Sequence, residues 1–153
     1  MQFVQLGRSG AKVSRLVLGT MNFGPQTSET DSHDIMDAAV DAGVNFLDTA
    51  NVYGGVDRRG WTEEIVGRWL AKSGRRDEIV LATKAYGEMT KVPNQSRLSA
   101  LNLRRACDAS LRRLQTDHID LYQMHHVDRN TPWDEIWQAM DVLVAQGKIT
   151  YVG

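Results

Sequence analysis

Four side chains of types that move protons or hold charge fall where short apolar runs end: Asp48, Tyr53, Lys84 and His125. Asp48 closes the run Asn45-Phe46-Leu47, and Tyr53 follows it in a loop that continues into Gly54-Gly55. Each has a plain explanation on its own. Asp48 fits a helix cap or loop residue, Lys84 a solvated strand end, Tyr53 a packed loop aromatic, and His125 a core or surface histidine. Together they suit one reaction, the reduction of a carbonyl by hydride transfer, in which the oxygen gains charge and must receive a proton. A free phenol has a pKa of roughly 10, too high for an ideal donor at neutral pH. A neighbouring ammonium favours the phenolate. Lys84 suits that part, Asp48 would anchor it by ion pairing, and His125 would orient the carbonyl oxygen by a hydrogen bond.

The elements that must position these groups alternate between two periodicities. Phe3–Leu6 and Lys12–Leu16 read as a β-hairpin around Gly7 and Ser9-Gly10. A buried strand follows at Leu16–Thr20. A helix is expected to start near Asp31 as cap, to bury Ile35, Ala38, Ala39 and Ala42, and to end at Gly43. The second strand, Asn45–Thr49, carries Asp48. The next helix is expected to be capped by Thr62, with Glu63-Glu64 at the positive end of its dipole. Its core face is Trp61, Ile65, Val66, Trp69 and Leu70, and Ser73-Gly74 closes it. Strand three is Glu78–Lys84, and the third helix runs from about Ser96 to Leu114. Strand four is Ile119–His125. The fourth helix opens at Thr131-Pro132 with Pro at its first position, buries Ile136, Met140, Leu143 and Val144, and stops at Gly147. Ile149–Gly153 reads as a fifth strand.

A hairpin over 1–16, then four βα units and a last strand, implies a parallel sheet in one unit spanning 1–153. In such sheets chemistry collects at the strands' C-terminal ends. Side chains alternate along a strand. Lys84 should therefore share a face with Val80 and Ala82, and His125 with Leu121 and Gln123, while His126 turns to the other face.

A formal charge of −1 over 153 residues gives no electrostatic reason to expect nucleic acid or a membrane surface as partner. No apolar run reaches the roughly 18 residues of a membrane span, and Met1–Gln5 lacks the pattern of a signal peptide. Cys107 is the single cysteine and cannot form an internal disulfide, so a reducing cytoplasm is the expected location.

The segments Leu18-Gly19-Thr20-Met21, Phe46-Leu47-Asp48-Thr49-Ala50-Asn51-Val52-Tyr53-Gly54, Leu81-Ala82-Thr83-Lys84 and Asp120-Leu121-Tyr122-Gln123-Met124-His125 resemble, in order and spacing, those of the aldo-keto reductase family. The resemblance implies a (β/α)8 TIM barrel closed at its bottom by the N-terminal hairpin, and NADPH-dependent reduction of small-molecule aldehydes or ketones. It makes Tyr53 the proton donor, assigns its tuning to Asp48 and Lys84, and gives His125 the orientation of substrate. Gly19, Thr20, Met21 and Asp48 match positions near the nicotinamide, and no metal is implied. Three rival readings exist, one of them a fragment with no function of its own. Some family members are regulatory subunits of ion channels, against which the four intact positions argue. A metal-dependent hydrolase could use Asp48, His125 and His126, but leaves Lys84 and Tyr53 unexplained.

A full barrel needs about 250 residues, so the expected fold is the N-terminal half of one, incomplete after the fifth strand. In the family, the second half carries the grip on the cofactor's amide and phosphates. Half a barrel has two strand edges that invite pairing with another chain. The isolated chain is therefore expected to self-associate or to be only loosely packed, and light scattering that finds a compact monomer would contradict this.

Overall fold

A computed structural model describes all residues, 1–153. The hairpin pairs β1 (Phe3–Gln5) with β2 (Lys12–Ser14) antiparallel. Five strands then form one parallel sheet in chain order: β3 (Leu18–Gly19), β4 (Phe46–Asp48), β5 (Val80–Ala85), β6 (Ile119–Met124) and β7 (Ile149–Val152). Each pair of neighbours is linked by one helix: α1 (Glu29–Asp41), α2 (Trp61–Ser73), α3 (Ala100–Leu114) and α4 (Trp133–Ala145). This is the expected α/β architecture, a parallel five-stranded sheet with four helices, part of a (β/α) barrel.

Period-two alternation divides the core into two. Leu47, Leu81, Ala85 and Tyr122 face the helices and join Ile65, Trp69, Leu103, Leu114, Ile136 and Met140 in the main cluster. Phe46, Ala82 and Leu121 point the other way and pack with Val13 of the hairpin. Asn45 ties that hairpin to the start of β4. Its amide oxygen accepts from Ser14 N at 2.7 Å, and its side-chain nitrogen donates to the Lys12 carbonyl at 3.1 Å. The lone Cys107 lies buried in the main cluster, and burial pushes its thiol up to about 12, leaving no thiolate at neutral pH.

The expected starts and faces of the helices need correction. Ser28, not Asp31, caps α1; its hydroxyl oxygen accepts from Asp31 N. The helix buries Ser32 and Met36, while Ile35 is 41% exposed, because one methionine reaches the sheet where the alanines do not. Thr62 does not cap α2. Gly60 does, with φ of 91°, and the Thr62 hydroxyl donates instead to the Phe23 carbonyl at 2.8 Å. Helix α3 starts after its cap Ser99, not at Ser96. Pro132 is the cap of α4 with extended ψ of 137°, not its first helical residue, and Ala139 is buried where Val144 was expected. A short 3-10 turn, Arg76–Glu78, takes the place of the first residue assigned to the third strand.

Helices α2 and α3 approach closely at Gly67. A Cβ at Gly67 would collide with the Arg113 carbonyl oxygen, and it would lie 2.8 Å from Leu114 Cα. Backbone cannot yield as a side chain tip can. Gly67→Ala is expected to destabilise the fold by about 1–3 kcal/mol in urea unfolding, despite alanine's better helix propensity.

Candidate active site

The sheet register stacks the polar side chains in successive layers. Asp48 aligns with Ala82, which aligns with Leu121; one layer on, Lys84 aligns with Gln123. The ladder continues beyond the strands: Thr49 N donates to the Ala82 carbonyl, Asn51 N to Lys84 and His125 N to Ala85. The chain after β4 is therefore held against β5 until just before Tyr53. Tyr53 itself is fixed through its carbonyl, which accepts from Gly60 N at 2.9 Å and Thr62 N at 3.5 Å at the start of α2. Gly54, with φ of 125°, turns the loop where a Cβ would strike the Arg58 carbonyl.

These constraints bring the four expected residues together. Lys84 Nζ lies 2.6 Å from Asp48 Oδ2, donates to the Thr49 carbonyl at 2.8 Å, and reaches the Tyr53 hydroxyl at 3.5 Å. The Tyr53 and His125 rings meet edge-on, with centroids 5.7 Å apart at 80°. Asp48 Oδ1 accepts from Gln123 Nε2 at 3.1 Å, so both carboxylate oxygens are engaged. Lys84 is 13% and Asp48 28% exposed at the side chain, so the pair is poorly solvated and its geometry is held by protein partners.

His125 is held below the usual histidine range, first by burial, then by the positive charges of Lys84 and His126, against an opposing pull from Asp48. At neutral pH it is then the neutral imidazole, with one N–H to donate and one nitrogen to accept.

Two readings change and a third is extended. Thr20 is fully buried, with its amide N–H and hydroxyl both donated to the Asp48 carbonyl at 3.0 Å. It anchors the strand end and offers no surface to a ligand, unlike exposed Gly19 and Met21. His126 does not turn away. Strand β6 ends at Met124, alternation stops there, and the His126 ring stacks on His125 at 5.1 Å while meeting Tyr86 at 5.0 Å. Glu63 stands in the first turn of α2 as expected, but it has a further part. It is fully buried, accepting from Thr83 Oγ1 at 2.6 Å and Arg113 Nε at 2.7 Å. It holds β5 from behind at the residue before Lys84.

Gln123 and Glu63 are the residues that strand patterning did not single out as site members or supports. A signal existed for Gln123, an amide among apolar strand residues on the face of His125. For Glu63 there was none, because its partner Arg113 lies 50 residues away. No three His, Cys, Asp or Glu side chains gather around the histidine pair as a metal-binding set.

The model of the Aldo/keto reductase family matches residues 15–153. The chain is 53% identical to an uncharacterized oxidoreductase, YrpG, of Bacillus subtilis (strain 168), covering 100% of this chain and 48% of that protein. It is 38% identical to Protein tas of Escherichia coli (strain K12), over 100% of this chain and 51% of the relative. Norsolorinic acid reductase A of Aspergillus parasiticus is 38% identical over 95% of this chain and 40% of its own length. The chain thus spans about half the length of these curated relatives.

In an NMR titration the His125 ring is expected to protonate below the ordinary value of 6.5, and Lys84→Met to raise its midpoint. The linked stability has a definite sign. The unfolded chain takes up this proton first, so the fold loses stability as pH falls through the ordinary histidine range, with no further loss below the folded value. An unchanged or lowered midpoint in Lys84→Met would remove Lys84 as a cause.

Proposed function

The chain belongs to the aldo-keto reductase family, and from that membership we propose that it forms the catalytic half of an NADPH-dependent reductase of aldehyde or ketone carbonyls. The observation that carries the proposal is the single ammonium of Lys84, which spans the Asp48 carboxylate and the Tyr53 hydroxyl.

A nicotinamide cofactor, when bound, supplies the hydride that goes to the carbonyl carbon. Gly19 and Met21 are the exposed residues that would help to hold its nicotinamide end. A Cβ at Gly19 would meet nothing within 4 Å, so the surface there is open to a flat group. The Tyr53 hydroxyl gives its proton to the carbonyl oxygen as the C–O double bond becomes an alcohol. The phenolate left behind faces the Lys84 ammonium, whose position Asp48 and the Thr49 carbonyl maintain. Neutral His125, edge-on to Tyr53, directs an N–H toward the same oxygen and holds the carbonyl for attack. Gln123 keeps the second Asp48 oxygen from turning away from Lys84. The open edges of β3 and β7 also fit self-association of the chain, or completion of the sheet by further strands.

Tyr53→Phe is expected to cut NADPH-dependent aldehyde reduction by about 10²–10⁴-fold, the usual worth of a positioned proton donor, in the protein that carries this chain. Cofactor binding, followed by quenching of tryptophan fluorescence, should be nearly unchanged. Retention of more than half the activity would refute the assignment.

A further inference from the structure

A concave site lined by none of Asp48, Tyr53, Lys84 and His125 lies on the outer flank of α3. Its cavity is about 440 Å³, within the size range of small-molecule sites. Four arginines line it, Arg59 from the loop before α2 and Arg105, Arg112 and Arg113 from α3, and no acidic residue does. Arg113 is neutralised by Glu63. Arg59, Arg105 and Arg112 make no ion pair or side-chain hydrogen bond, and Glu88, which feels the charge of Arg59, is itself bonded to Lys91 at 2.9 Å.

The spacing on α3 builds a floor. Arg105 and Arg112 stand two helical turns apart, and the small Ala106 and Ala109 lie between them. Asn51 also borders the hollow. It is 1% exposed, and its side-chain oxygen finds no hydrogen-bond partner in the protein. Only the NH2 end of this amide, and not that oxygen, is a donor suited to an anion. Three like charges around one hollow repel one another in a chain whose net charge is −1, so the concentration of cations is local and not a matter of composition.

We propose that this cavity binds a compact multivalent anion, a phosphate ester or diphosphate of a small molecule. Guanidinium forks match phosphate oxygens in pairs, which favours arginine over lysine at such a site. A bounded hollow of this size suits a small ligand better than a polymer's backbone. The site shares none of the four side chains Asp48, Tyr53, Lys84 and His125.

Isothermal titration with sodium pyrophosphate, at ionic strength fixed with sodium chloride, is expected to show one saturable site. Arg105→Gln combined with Arg112→Gln should weaken it at least about tenfold, as expected for loss of charge-assisted hydrogen bonds. Both arginines are exposed on α3 and glutamine keeps helix propensity, so folding should survive, as circular dichroism would verify. Arg59→Gln, on a loop, is an independent variant expected to weaken binding in the same direction. In two-dimensional NMR the Asn51 side-chain amide should shift on titration of the unsubstituted protein and stay still in the double variant. Equal binding by the protein and both variants, or no saturable binding up to about 10 mM, would overturn the proposal. Tighter binding of citrate than of pyrophosphate would overturn the phosphate assignment.

Discussion

The arrangement depends on keeping one ammonium charged in a place with little water. Taking Lys84 and Asp48 out of solvent costs several kcal/mol per ion before partial exposure is considered, and their attraction offsets this only with good geometry and satisfied remaining groups. The chain meets that condition from three strands. Asp48 comes from β4, Lys84 from β5, and Gln123 from β6 closes the second carboxylate oxygen. The Thr49 carbonyl gives Lys84 another acceptor, and what remains of its reach is directed at Tyr53. A lysine freer to move would be solvated and would do nothing for a phenol.

Precision at this pair is supplied from the opposite face of the sheet. Thr83, the residue before Lys84, points toward the helices and donates to buried Glu63, which is paired with Arg113. Helices α2 and α3 are therefore clamped to β5 at the level of Lys84, and Gly67 permits the two helices to approach that closely. At the other end, Asn45 locks the hairpin under β4. The loop bearing Tyr53 is pinned twice, by Asn51 N on the Lys84 carbonyl and by the first amides of α2 on the Tyr53 carbonyl. Packing, ladder and loop thus converge on the same few ångströms.

Much of this was legible in the sequence because strands announce themselves by alternation and helices by stripes. The five parallel strands, the inner face of Val80, Ala82 and Lys84, and the meeting of Asp48, Tyr53, Lys84 and His125 all follow from those patterns. What escaped involves partners far apart in sequence or the ends of elements. Glu63 looks like any acid at a helix start, and only the fold brings Arg113 to it. Ser28 and Asp31 are both good caps, and residue type alone does not rank them. Alternation assigns His126 to the far face only while the strand persists, and the strand ends at Met124. The family resemblance puts Thr20 near the cofactor, yet its hydroxyl is committed to the Asp48 carbonyl.

The central claim is that Asp48 acts through Lys84 on Tyr53, as one unit. A double-mutant cycle of Asp48→Asn and Lys84→Met tests it most directly, read as kcat/KM for aldehyde reduction with NADPH by the protein that carries this chain. Groups that act as a unit are strongly non-additive. The account predicts that Asp48→Asn slows the unsubstituted enzyme but changes little once Lys84 is already methionine. Additive losses would show that Asp48 works independently of the ammonium and would contradict it.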